Sequence, residues 1–287
     1  MLRLIGAELF KLRKRAMTRI LLFVLMGILA LLYLILFAVS NTDVPVGPGG
    51  PGQVDLQDVL GLPVAIPFAL SMLAGLGTVL AVILMASSMG SEYNWRTIRT
   101  TVTASESRFK LLGAKLISAV ILILAGMVVG VVTGFVMSLI TTAIGGNDFN
   151  FSFATGSYLW DQFVQFWRTF FVMIPYIFLG FMLSIAGRSA MPGIALGIAV
   201  LFFEPIITGL MVLAGGWVAD IPNFLLAANV NAITALADLP AGFGGGFGFG
   251  QTDNLPSVTN AIIVLSTYSL AFVAYAFYLF RKRDVTG

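Results

Sequence analysis

The chain has 287 residues, 59% hydrophobic and only 10% charged, with a formal net charge of +3 and a mean hydropathy of +0.99. A soluble domain carries about 25% charged residues, and a core of this size cannot hide so much apolar surface, so a water-soluble globule is excluded and the exterior faces lipid. The chain has no Cys and no His, which excludes disulfides, thiol nucleophiles, imidazole bases and His/Cys metal sites.

Backbone in lipid must satisfy its own hydrogen bonds. The apolar runs are unbroken rather than alternating, and each is long enough for about 20 helical residues. The expected fold class is therefore an all-α polytopic membrane protein, a single transmembrane domain over residues 1–287. Residues 1–19 predict an amphipathic helix at a membrane surface. Leu2, Ile5, Leu9, Leu12 and Ala16 share one stripe, with Arg3, Glu8, Lys11, Lys14, Arg15 and Arg19 off it. A basic flank that only sets orientation is the other reading. Residues 20–39 form the first span. Its apolar run exceeds the roughly 7–15 residues of a signal peptide, so a retained helix is expected. The loop over 41–61 contains PVGPGGPG and three Asp. Residues 62–89 form the second span, with Pro63 and Pro67 near its start. A charged island, 90–115, precedes the third span, 116–144. Residues 145–167 read as a polar, aromatic connector and 168–186 as the fourth span, with Pro175 inside. Gly187-Arg188-Ser189 is a tight turn, with Ser189 a good N-cap and Pro192 in the next helical turn. The fifth span covers 190–212. In the long connector that follows, 224–239 is apolar enough for a re-entrant segment, and AGFGGGFGFG is low-complexity. The sixth span, 258–280, closes on Arg281-Lys282-Arg283-Asp284.

With six spans and both termini cytoplasmic, every Lys and Arg except Arg168 falls on the cytoplasmic side. Every Asp except Asp284 falls on the other. Such a bias over short loops sets orientation, and it predicts a multi-pass protein of a prokaryotic cell membrane.

The island reads GSEYNWRTIRTTVTASESRFKLLGAK. Thr103-Ala104-Ser105-Glu106 fits a capping box, after which a helix runs through Phe109, Leu111, Leu112 and Lys115 into the third span. The preceding piece, 96–102, is rich in β-branched residues, weak helix formers that need a partner's contact to hold a helix. Together with AELFKLRKR before the first span and RKRD after the last, this pattern resembles the membrane subunits of ABC-2-type exporters. Glu92, Tyr93, Thr97, Ile98, Ser105, Arg108, Gly113 and Lys115 match that family's island pattern. Arg96 stands where the family often has Gly, and a proline common before the Ser/Arg pair is absent.

The resemblance implies a permease that is not itself an enzyme. It would pair with a second permease subunit, as a homodimer or heterodimer, and sit on two copies of a separate ABC ATPase. Those ATPases, not this chain, would bind ATP and Mg. Residues 90–115 would be the coupling loop, with Arg96, Thr97, Ile98, Arg99 and Val102 seated in the ATPase and Arg108 beside them. Glu92 would anchor the junction by pairing with a basic residue, and the interface helix carrying Glu8, Lys11 and Arg15 would lie alongside. From the residues alone, a merely solvated loop is the other reading of the island. No G-x-x-x-x-G-K-[ST] phosphate loop occurs, and nothing points to nucleic acid. Membrane lipid is the surrounding partner.

Glu204, followed by Pro205 inside the fifth span, is a candidate intramembrane site for a cation or proton. It could equally be a paired carboxyl group at a kink. As an ion site it would suit a secondary transporter or channel, although no inverted repeat accompanies it. Gly126, Gly130 and Gly134 on the third span, and Gly193 and Gly197 on the fifth, predict close helix packing. An amphipathic drug, peptide or lipid would fit the aliphatic and aromatic spans equally well.

Overall fold

The computed structural model describes residues 1–40, 60–94, 108–146, 148–237, 239 and 255–282. Among them the chain is all-helical. Six helices are long and apolar enough to cross a membrane: Ala16–Ser40, Ala65–Tyr93, Phe109–Ile144, Gly156–Ala186, Ala190–Ala214 and Val258–Lys282. The six expected spans are all present.

Helix α1 (Leu2–Lys14) ends where Arg15 turns extended (φ −65°, ψ 135°), and α2 (Ala16–Ser40) leaves in a new direction. The second span is α3 (Ala65–Met72), a π turn (Leu73–Gly77) and α4 (Thr78–Asn94). Pro67 sits in the first turn of α3, where its missing N–H costs no helix bond. The third span is α5 (Arg108–Ile144) and the fourth α6 (Gly156–Ala186). Helix α6 begins well before residue 168, because Thr155 caps it and accepts from the Tyr158 amide at 3.3 Å. The polarity of 156–167 marks the wet end of a helix, not a connector. Its exposed face carries Trp160, Phe163 and Trp167 at helical spacing. Arg188, at φ 50°, closes the turn into α7 (Ala190–Ala214), which Ser189 caps as expected by accepting from the Met191 amide. A 3-10 turn (Gly216–Phe224) leads to α8 (Leu226–Thr234), and α9 (Val258–Lys282) ends the described chain.

The second span and α6 form the centre: 72% and 67% of their most apolar windows are buried, against 28% or less for the other spans. Helices α1, α2 and α3 pack on α5 to one side; α7, α8 and α9 pack around α6 on the other. Lipid gives no hydrophobic drive between helices, so close approach of small residues has to hold them together. Gly130 and Gly134 of α5 meet the second span so tightly that a Cβ on either would stand 2.8 Å from Leu73 and 2.5 Å from Ala69. Gly193 and Gly197 of α7 likewise abut Gly180 and Val82. Gly126 departs from this expectation: a Cβ there would meet nothing within 4 Å, because α5 stands away from the second span at that level.

One end of the bundle collects the charged segments. Gly90 abuts Ala190, bringing the Arg188 turn beside the end of α4. Phe109 stacks on Phe277 (5.9 Å), bringing the end of α9 beside the start of α5. Helix α1 lies at the same end, on α5.

Candidate functional site

The two roots of the charged island, Asn94 and Arg108, emerge at this end, and a buried ion-pair cluster ties them together. Lys115, about two turns inside α5, is 2% exposed. Its Nζ donates to Glu92 Oε1 of α4 at 2.5 Å and to Glu8 Oε2 of α1 at 2.9 Å. Lys11 of α1 also donates to Glu92 Oε1, and lies 4.0 Å from Glu8 Oε1. Two cations and two anions thus close a ring across α1, α4 and α5. Around it, Arg15 donates to Ser91 Oγ at 2.7 Å and Ser118 Oγ donates to the Ile5 carbonyl at 3.1 Å. Glu92 Oε2 has no partner among the described residues.

Charges can sit in so dry a place only because the ring is balanced; removing one member leaves another uncompensated. The ring latches the N-terminal helix to the end of α4 and the start of α5. The docked face of α1 takes in the Leu12 edge of the apolar stripe, with Ile5 and Leu9 half-buried, but not its Leu2 end. Glu8 and Leu12 are buried, while Leu2 and Phe10 are 85% and 65% exposed. Hydrophobic spacing assigns the charges to the outside; ion pairing with the bundle brings Glu8 in and draws Lys11 partly after it, and leaves Arg3, Lys14 and Arg19 exposed.

The structure brings together Glu8, Lys11, Arg15 and Glu92, which the resemblance groups at the island, and Glu92 pairs with Lys11 and Lys115. Lys115 was matched to a pattern but not recognised as the hub. The available signal was a lysine at the mouth of a long apolar run, where a cation needs a partner. Arg96, Thr97, Ile98, Arg99, Val102 and the Thr103–Glu106 capping box lie outside the described residues. Arg108 is the first residue of α5.

Glu204 belongs to a different part of the molecule. Its Oε1 accepts the amides of Leu226 (2.5 Å) and Ala227 (3.2 Å), the first two residues of α8. A carboxylate reaching across from α7 therefore serves as the N-cap that Leu225 cannot supply. The fully buried Asn229 secures the same corner, donating to the carbonyls of Asn223 and Leu225, and Asn260 of α9 donates to its Oδ1. This polar corner had no counterpart in the sequence reading.

No curated protein and no solved structure matches the chain. A family model described as "Protein of unknown function (DUF2705)" matches residues 57–286, from before the second span to the C-terminal tail, and the chain belongs to that family.

Proposed function

We propose that this multi-pass membrane protein is the permease subunit of an ATP-driven ABC-2-type exporter in a prokaryotic cell membrane. It moves an amphipathic substrate while a separate ATPase, in two copies, hydrolyses ATP. A second permease subunit completes the pathway. Both termini are cytoplasmic, α1 lies at the membrane surface, and residues 224–239, which include α8, form a re-entrant piece on the opposite side.

The observation that carries this reading is the Glu8–Lys115–Glu92–Lys11 ring. A loop that was merely solvated would have no need of a buried four-charge brace at its roots. A loop that receives force from a motor does need one, because force applied at 95–107 is useful only if α4 and α5 move as a unit. The placement of the charged segments at one bundle end supports the same reading through the positive-inside bias.

The experiment is co-purification with a soluble ABC ATPase encoded beside the gene. Arg99→Glu or deletion of residues 96–102 is expected to abolish the association and the ATPase stimulation by the permease. Retention of both in either variant overturns the coupling assignment. The secondary-carrier reading, with Glu204 as an ion site, loses ground because that carboxylate already caps α8.

A further inference from the structure

A cleft of about 130 Å³ opens between α2, the second span and α5, below the corner where α1 gives way to α2. Its walls include Leu22 and Leu25 of α2, Leu80 and Leu84 of α4, and Ile123 and Gly126 of α5. An apolar cavity of roughly 150 Å³ is enough to stay dry and take up a hydrocarbon. The slot exists because α5 stands away from the second span at Gly126, where an added Cβ meets nothing within 4 Å, before closing on it at Gly130 and Gly134.

Thr18 is the polar exception in this lining. Its Oγ1 is shut off from water and has no hydrogen-bond partner among the described residues. A helical threonine ordinarily bonds the carbonyl four residues back; here the Lys14 carbonyl accepts from Arg19 Nη2 at 3.1 Å. Lys14 and Arg19 are both exposed beside it. An apolar slot, an unsatisfied hydroxyl on its wall, the Arg19 guanidinium held at the neighbouring Lys14 carbonyl and the Lys14 ammonium over the exposed Phe10 ring a turn away match an amphiphile with one thin tail inserted and an anionic head.

We propose that this cleft binds one anionic glycerophospholipid. A stretch of one acyl chain occupies the slot, Thr18 Oγ1 donates to an ester or phosphate oxygen, and the exposed side chains of Arg19 and Lys14 turn from the Lys14 carbonyl and the Phe10 ring to the phosphate. Arg15 is already engaged with Ser91 and takes no part. The site is independent of any ATPase partner and is tested without one.

The test is native mass spectrometry of the full-length protein in detergent, titrated with phosphatidylglycerol and phosphatidylcholine of identical chains. One phosphatidylglycerol should be retained in roughly tenfold preference, which two juxtamembrane cations can supply. Gly126→Leu fills the slot from α5 and should remove most of that occupancy. Lys14→Gln with Arg19→Gln should abolish the preference while leaving uptake of either lipid. Equal retention of the two lipids by the unmodified protein overturns the anionic assignment. Undiminished phosphatidylglycerol binding in Gly126→Leu overturns the site. Should Gly126→Leu lose its cooperative unfolding, Leu22→Trp plugs the slot from α2, and undiminished binding there overturns the site equally.

Discussion

Lys115 donates to Glu92 Oε1 at 2.5 Å across a stretch of sequence that contains the whole undescribed part of the charged island. Both side chains are essentially sealed from solvent, at 2% and 0% exposure. Breaking such a pair from one side costs far more than the pair contributes, since the survivor stays buried and charged. Lys115→Met, which leaves two carboxylates, Glu8 and Glu92, to share Lys11 alone, should therefore destabilise the protein by about 3–5 kcal/mol. Adding Glu92→Gln should return much of that loss, because Lys11 and Glu8 are then left to each other. Denaturant unfolding in detergent of the two single variants and the double variant measures the coupling. Additive losses would mean that the two residues do not interact.

Lys11 touches the same carboxylate oxygen from the wetter side, with 38% of its side chain exposed. Its loss can be made good by water and salt, so Lys11→Met should cost only about 1 kcal/mol. The two lysines thus separate burial from mere pairing. Limited proteolysis supplies an independent readout. Lys115→Met should release α1 to cleavage near Arg15, where the helix is already broken, and Lys11→Met should do so weakly if at all.

The six spans were legible because a run of about 20 apolar residues has few other places to go. Glu92 was legible as an anchor only through the resemblance to ABC-2-type membrane subunits; the physical reason, that a carboxylate at the end of such a run requires a cation, emerges with the structure. Which cation was not legible, because Lys115 is remote in sequence and becomes a neighbour only when α4 and α5 lie side by side. The same limit explains α1. Leu2, Ile5, Leu9 and Leu12 do fall on one stripe, but periodicity orients a helix only between oil and water. The bundle offered a third surface, an ion-paired one, and α1 turned its Glu8 toward it. At α6 the polar composition of 156–167 was mistaken for a connector, although Thr155 and the Trp160–Phe163–Trp167 spacing both signal a helix.

Glu204 separates a structural carboxylate from a transport site. If it acts as a cap, the oxygen matters and the charge matters little. Glu204→Gln retains an acceptor for the Leu226 and Ala227 amides and should leave stability and transport near those of the unmodified protein. Glu204→Ala should cost about 0.5–2 kcal/mol, as other lost N-caps do. It should also speed hydrogen exchange at Leu226 and Ala227 selectively. If Glu204→Gln folds normally but loses transport or its pH dependence, the carboxyl group is working as an ion or proton site instead.

Three glycines at successive turns of α5 should answer differently to the same substitution. Gly130→Ala would place a methyl 2.8 Å from Leu73 Cδ2, the far end of a side chain that can give way. Gly134→Ala is harsher: its methyl would stand 2.5 Å from Ala69 Cβ, which cannot move without its backbone. The second span and α5 must then part, at a cost of about 1–3 kcal/mol, as for other overpacked contacts. Gly126→Ala, facing the open slot, meets no such neighbour and exchanges the poorest ordinary helix former for the best. It should hold or raise the unfolding midpoint, by up to about 1 kcal/mol. Midpoints falling in the order Gly126→Ala, Gly130→Ala, Gly134→Ala would show that α5 diverges from the second span toward its charged end. An inverted order would mean that Gly126 is pressed against another helix or a second subunit, and that no slot exists there.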